Sequence, residues 1–308
     1  MTQTFKEHLY LFFILMIIAL EAILFSVGND KINITSINEE NKIMKVQNIL
    51  ADIPIQAKAI SVYDQTLNRK IYGKNDEISL PIASLAKIMT IITALNGRSM
   101  DEIISISSNA LKQDTDYGFF VHEKFKIKDL AKFTLIGSAN DGAYALAEKD
   151  DAFLEKMNNK ARKIGMENTF FLNPTGLDID ENKAGPPRVG EPLRVEAGAY
   201  ASAQDVNIMA MYALKGYPEI FSASVMPGIN IKSESGFEHD IKNTNLILDK
   251  IPNILFSKTG LTPLAGGNLT LIYKNKNEHI IAVTVLGSTI DGRFTDMEKI
   301  INTLSDML

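Results

Sequence analysis

The sequence predicts an α+β domain in which the first and last strands share one sheet and helices fill the middle of the chain. Three observations carry this. An alternating, β-branched run begins near residue 58 and is followed by turn residues and a second extended run; three comparable runs close the chain after residue 254; and apolar residues between them recur at helical spacing. Strands at both ends with helices between are satisfied by a single sheet built from both termini.

Residues 57–63 alternate, Asp64-Gln65-Thr66-Leu67-Asn68 supplies turn chemistry, and residues 69–72 extend again, which reads as a hairpin. The run Leu80-Pro81-Ile82-Ala83-Ser84-Leu85-Ala86-Lys87-Ile88-Met89-Thr90 opens a helix. Its Leu85, Ile88, Met89, Ile91, Ile92 and Leu95 predict burial on most faces, and Asn96-Gly97 ends it. Residues 98–180 read as mostly helical, with helices over 127–136, 141–148 and 151–164, and a turn at Gly137-Ser138-Ala139-Asn140. Turn residues dominate 173–178. Residues 181–197 are rich in Pro, Gly and charge and too long for a mere connector, so they read as a lid or an insertion. Ser202-Ala203-Gln204-Asp205 has the form of a helix start, and that helix runs to Lys215. After an irregular stretch come strands over 254–260, 268–274 and 279–286, the last two joined by Asn275-Lys276-Asn277. An amphipathic helix over 295–307 closes the chain.

Composition is that of a globular protein, 45% apolar and 22% charged, and a net charge of −5 gives no general basic surface for nucleic acid. The absence of cysteine removes disulfides, thiol catalysis and cysteine metal sites. His8, His122, His239 and His279 stand singly without ligand spacing, so neither a structural metal nor a cofactor is expected. Residues 9–27 are almost continuously apolar, long enough as a helix to cross a bilayer, with Glu21 toward the outer part of the span. Residues 1–28 are therefore read as a transmembrane anchor or uncleaved signal, in preference to a cleaved signal peptide, because the run is long and no small-x-small site follows. Residues 29–54 read as a linker, either a short helix or a stalk, and 55–308 as the exported domain.

Ser84 and Lys87 are three apart, which on a helix puts them on one face, one turn apart, with the amine in reach of the hydroxyl. Burial disfavours the ammonium form, so Lys87 can take the Ser84 proton near neutral pH. The nearby helix N-terminus favours developing negative charge. By chance alone Ser-x-x-Lys is expected about once in such a chain, and Ser-x-Asn also occurs at Ser36-Ile37-Asn38 and Ser107-Ser108-Asn109. Each residue singly has a bland role available, as a capping serine, a snorkelling lysine or a turn asparagine. Order supplies the specificity: Ser84-x-x-Lys87 opens a buried helix, Ser138-Ala139-Asn140 lies in a turn between helices, and Lys258-Thr259-Gly260 closes a strand.

Together with Gly137-Ser138-Ala139-Asn140-Asp141-Gly142, Met157-Asn158, Gly165-Met166-Glu167-Asn168-Thr169, Asn173-Pro174-Thr175-Gly176-Leu177-Asp178 and Asn243-Thr244-Asn245, these motifs resemble the D-alanyl-D-alanine carboxypeptidases. These are the low-molecular-weight penicillin-binding serine peptidases, and the resemblance spans about residues 55–290. It implies the penicillin-binding-protein/serine β-lactamase-like fold, an αβα sandwich whose mostly antiparallel sheet has helices on both faces. It also implies removal of the terminal D-alanine from peptidoglycan stem peptides through an acyl-enzyme on Ser84, with β-lactam antibiotics as covalent inhibitors. In that scheme Lys87 deprotonates Ser84, Ser138 relays a proton to the departing D-alanine, and Asn140 orients Lys87 and the substrate amide. Lys258 adds positive charge beside the relay, Thr259 binds the terminal carboxylate, and Gly260 lets a substrate backbone lie close along an edge strand. The oxyanion donors are the backbone N–H groups of Ser84 and Leu261.

Several departures accompany the resemblance. Thr175 stands where the family often has histidine, and Arg188 and Arg194 are carboxylate-binding candidates by location alone. The β-rich second domain and C-terminal amphipathic anchor of many relatives are expected to be missing, with attachment moved to the N-terminal helix and the catalytic domain on the extracytoplasmic face of the cytoplasmic membrane. Alternatives on the same fold are a D,D-endopeptidase and a class A β-lactamase, although no Glu-x-x-x-Asn loop occurs in the context a deacylating water requires. A non-catalytic, membrane-tethered peptidoglycan-binding protein is the alternative of another class.

Overall fold

The computed structural model describes Met16 and residues 40–114, 117–180 and 195–307. The expected anchor, apart from Met16, and residues 181–194 with Arg188 and Arg194 therefore lie outside the described residues. Two compact units divide the chain, Met1–Ile49 and Leu50–Leu308. Residues 40–52 are helical (α1). Among the described residues no helix is long and apolar enough to cross a membrane.

In the second unit β1 (Ala59–Asp64) and β2 (Arg69–Lys74) form the expected hairpin, and β3 (Leu80–Pro81) leads through a 3-10 turn, Ala83–Leu85, into α2 (Ala86–Leu95). Short strands β4 (Ile103–Ser105) and β5 (Lys124–Lys126) pair ahead of α3 (Ile127–Gly137), α4 (Asn140–Ala147) and α5 (Phe153–Lys163). Strands β6 (Phe170–Phe171), β7 (Ile179–Asp180), β8 (Val195–Glu196) and β9 (Ala199–Ala201) are brief, with β9 pairing both β3 and β6. Helices α6 (Ala203–Gly216) and α7 (Pro218–Phe221) precede a hairpin of β10 (Gly228–Lys232) and β11 (Glu238–Lys242). Three long strands, β12 (Ile254–Thr262), β13 (Gly266–Lys274) and β14 (Ile280–Ser288), are followed by α8 (Gly292–Met307).

One antiparallel sheet in the order β12-β13-β14-β1-β2 joins the two ends of the domain, with Ser61 opposite Thr284. Side chains alternate between its faces. Ala59, Phe256, Ile272, Ala282 and Leu286 belong to the large core shared with α2, α3 and α6. The opposite face carries buried Val62, Leu271, Val283 and Val285 and takes Met297, Ile300, Ile301 and Leu304 of α8. Helices thus cover both faces, as the αβα expectation required. At the centre lies α2, all ten of whose residues are buried. A polar seam beneath the sheet is satisfied internally: Asn207 Nδ2 donates to the Ser61 carbonyl, and the Thr284 hydroxyl donates to Asn207 Oδ1 at 2.7 Å.

Two expectations need correction. Among the described residues of 98–126 there is no α-helix: they carry β4, β5 and a connection with one 3-10 turn, Ala110–Lys112, and Phe119 and Phe125 are drawn into an aromatic cluster with Phe133 and His239. The stretch before β12 is not irregular throughout, since it contains the β10–β11 hairpin. His239 and Ile241 alternate with exposed Glu238, Asp240 and Lys242, a period-two signal hidden by its polarity.

The fastening of α8 to the start of the sheet depends on Asp296, which is fully buried. Its carboxylate accepts the Gln56 N–H at 3.1 Å, the Ala57 N–H at 2.8 Å and the Ser288 hydroxyl at 2.7 Å. Asp296→Ala strands these donors and should cost about 2–3 kcal/mol, lowering the thermal midpoint by roughly 5–10 °C in a calorimetric scan.

Candidate active site

The turn that carries Ser84 is held in an uncommon conformation. Ala83 has φ +49°, a region that non-glycine residues visit only when their surroundings impose it. Ile82 N–H donates to the Ala199 carbonyl at 3.0 Å, and Asn268 Nδ2 donates to the Pro81 carbonyl at 3.1 Å. Two glycines close on the turn from other segments. A Cβ at Gly176 would lie 2.0 Å from the Ala83 carbonyl oxygen, and one at Gly260 would lie 2.6 Å from the Ile82 carbonyl oxygen. Ser84 sits on the 3-10 turn that leads directly into α2, at the helix start where the sequence put it.

Lys87 lies on the first turn of α2 with no solvent exposure. Its Nζ is 2.7 Å from Ser84 Oγ and 2.7 Å from the Thr175 carbonyl oxygen, to which it donates. Burial, reinforced by the charge of Lys258, holds this amine well below the ordinary lysine range, while Asp141 opposes the shift. A neutral Lys87 can donate one N–H to Thr175 and offer its lone pair to the Ser84 proton. Thr175 contributes through its backbone carbonyl, so the residue type at that position is not what the contact requires.

The second motif begins at the end of α3, where Ser138 adopts the left-handed conformation, φ +62°. This turns its hydroxyl toward Lys258, whose Nζ donates to Ser138 Oγ at 2.9 Å and to the Thr259 carbonyl at 2.9 Å. Burial, then the charge of Arg293, lowers Lys258 to about 7. Tyr117 donates to the Gly137 carbonyl and steadies the same turn. Asn140 differs from expectation: Nδ2 donates to the Asp114 carbonyl and Oδ1 is buried with no partner, whereas the hydrogen bonds of Lys87 go to Ser84 and Thr175. Its amide nitrogen is held by the segment ahead of α3, and its side-chain oxygen is left without a partner.

Strand β12 lies at the edge of the sheet. Ser257 N–H donates away from β13, to Ser224 Oγ at 3.0 Å. By the two-residue period of a ladder, the N–H groups of Thr259 and Leu261 face the same open edge. Leu261 is exposed there, and Thr259 is buried with its hydroxyl 2.6 Å from that of Thr244. Beneath the strand, Arg293 Nη1 donates to the Gly260 carbonyl at 3.1 Å and its Nε is buried without a partner.

The structure thus brings Ser84, Lys87, Ser138, Lys258, Thr259, Gly260 and Leu261 around one edge, with Asn140 beside them. Sequence reasoning missed Arg293 and gave Thr244 no role. Arg293 belongs to no motif and reaches the Gly260 carbonyl of β12 from the start of α8, which packs on β13 and β14; Thr244 stands inside the Asn243-Thr244-Asn245 tripeptide without chemistry attached.

A family model described as D-alanyl-D-alanine carboxypeptidase matches residues 45–289. The D-alanyl-D-alanine carboxypeptidase DacF of Bacillus subtilis is 28% identical over 82% of this chain, which spans 63% of that protein's length. A D-alanyl-D-alanine endopeptidase of Pseudomonas aeruginosa is 28% identical over 72% of this chain and 69% of its own length. Among solved structures, a penicillin-binding protein of Listeria monocytogenes in its ampicillin-bound form superposes with a TM-score of 0.64. It is 26% identical, with 82% of this chain and 98% of that chain covered.

Burying two lysines has a pH signature. Lys258 is lowered from 10.5 to about 7 on folding, so between those values the unfolded chain binds more protons than the folded one. Its contribution to stability therefore rises with pH across that window and is flat below it. Lys258→Met should raise the unfolding free energy at pH 7, with the advantage over the parent protein shrinking toward pH 10. Denaturant titrations at several pH values read this directly, and equal stability at pH 7 would count against it.

Proposed function

The chain belongs to the D-alanyl-D-alanine carboxypeptidase family, and from that membership and the geometry of its site we propose that it removes the terminal D-alanine from peptidoglycan stem peptides. The observation that carries this reading is the fully buried Lys87 with its amine 2.7 Å from Ser84 Oγ.

In this mechanism the substrate lies along the open edge of β12 as an added strand. Its terminal carboxylate meets the Thr259 hydroxyl in a field made positive by Lys258 and Arg293. Ser84 Oγ attacks the carbonyl of the penultimate D-alanine while Lys87 takes its proton. The N–H groups of Ser84 and Leu261 receive the negative charge that forms on the carbonyl oxygen. Ser138 donates its proton to the departing amine and is recharged from Lys258, whose value near neutrality suits it to exchange protons at working pH. Asn140 Oδ1 accepts from the substrate amide. Before the second half-reaction Lys87 gives up the proton it took from Ser84 and Lys258 regains the one it lost, a net transfer from one amine to the other. Water then attacks the acyl-enzyme with Lys87, neutral again, as base, and that proton returns to Ser84 Oγ as it leaves. A β-lactam, which carries its own carboxylate and a reactive amide, acylates the same serine.

A second reading rests on a specific observation. The P. aeruginosa relative is an endopeptidase at the same identity as the carboxypeptidase, and another endopeptidase, of Escherichia coli, is 27% identical with 73% of its length covered. Cleavage of D-alanyl cross-links would use the same residues on a longer leaving group. We place the domain on the extracytoplasmic face, tethered by the apolar run 9–27; that placement is supported by the length and composition of the run.

Intact-mass analysis after benzylpenicillin treatment should show one adduct, mapped to the peptide containing Ser84 and absent from Ser84→Ala. A D-Ala-D-Ala peptide should release D-alanine, and cross-linked muropeptides separate the two readings by their products. No adduct together with no release would refute both. Lys87→Arg, which cannot become neutral, should lose about 10²–10⁴-fold in acylation rate. In the parent protein that rate should fall on acidification as Lys87 takes up a proton.

A further inference from the structure

The tripeptide Asn243-Thr244-Asn245 divides its work. Asn243 Nδ2 donates to the carbonyls of Ser224 at 2.7 Å and Met226 at 2.8 Å, and its Oδ1 accepts the Asn245 N–H at 2.8 Å. Asn245 Oδ1 in turn accepts the Ile247 N–H at 3.1 Å, and Asn243 N–H donates to the Pro227 carbonyl at 2.8 Å. The two asparagines thus fix a backbone turn. Thr244, between them, is left half-buried with its own N–H on the Ile136 carbonyl at 3.3 Å, two residues ahead of Ser138. Its hydroxyl lies 2.6 Å from that of Thr259, the contact that joins this turn to β12.

We propose that Thr244 is a positioning residue that makes the enzyme selective for substrates with a free terminal carboxylate, by fixing which way the Thr259 hydroxyl points its proton. The inference rests on the carboxylate role given to Thr259 above. A hydroxyl has one proton and two acceptor positions, and between two hydroxyls 2.6 Å apart only one proton lies on the shared line. A carboxylate accepts and never donates. When one arrives, Thr259 must donate outward, and it does so without leaving an unfilled contact only if Thr244 donates into it. The resulting chain, Thr244 to Thr259 to carboxylate, polarises in one direction and strengthens its last bond. A neutral terminal amide gains far less, because the hydrogen bond to an ionised acceptor is the stronger kind. Thr244 also ties the ends of two motifs, so the clamp and the proton relay at Ser138 keep a fixed separation.

The test compares one N-acylated peptide ending in D-Ala-D-Ala with its C-terminal carboxamide, using the full chain. Thr244→Val keeps the shape and removes the hydroxyl. It should reduce kcat/KM for the free acid by roughly tenfold, mainly through KM, and for the carboxamide by less than about threefold. Thr244→Ser should restore the acid preference. Thr259→Val is the control for the underlying reading and should abolish that preference. If Thr259→Val abolishes it and Thr244→Val leaves it intact, the positioning role is wrong while the carboxylate clamp stands. If Thr259→Val also leaves it intact, both fall. Equal losses on the two peptides in Thr244→Val, or no rescue by Thr244→Ser, would mark the residue as merely structural and overturn the proposal.

Discussion

Everything at this site depends on holding an amine where water cannot reach it. A lysine on a helix buried along its whole length is an unfavourable choice for stability, because a desolvated ammonium has lost its hydration and gained little in return. The fold resolves this by letting the proton go. Lys87 has a carbonyl for one N–H and a hydroxyl for its lone pair, a set that suits the neutral amine better than an ammonium with three N–H groups to place. Lys258 repeats the device beside Ser138, where burial and the charge of Arg293 lower it to about 7.

Backbone strain is placed where it serves that amine. The Ala83 conformation is imposed from both sides, by Gly176 from the turn after β6 and by Gly260 from β12. Only residues without a side chain let two strands of backbone approach this closely. The role expected for Gly260, room for a substrate, is therefore joined by a second that involves the protein's own turn. Arg293 belongs to the same layer, since its guanidinium supports the Gly260 carbonyl from behind while adding to the charge that lowers Lys258.

Much of this was legible in the sequence. Alternation and turn residues located the sheet strands and the three helices around Ser138 to within a residue or two, because those segments are long and their faces are cleanly divided between core and solvent. Short strands β4, β5, β10 and β11 were not legible: their pairing is decided by aromatic packing around His239 and by contacts with α3, which no local pattern encodes. Motif order picked out residues that meet at one edge of the sheet. It could not reveal that Asn140 turns its amide to Asp114, that Thr175 acts through its carbonyl, or that Arg293 reaches β12, because each depends on where a distant backbone comes to rest.

The sheet that unites β1 with β14 also sets when the molecule can work. The strand that presses on the Ser84 turn and carries Thr259 follows it in the chain by most of the domain, and the helix whose Arg293 supports that strand follows again. Pairings between such distant segments form slowly and late in folding. A chain still emerging from synthesis holds Ser84 before the segments that shape its turn have docked. Reaction with a mechanism-based acylating agent would consequently report completion of the fold, and a time course of labelling during refolding would follow the docking of the final strands.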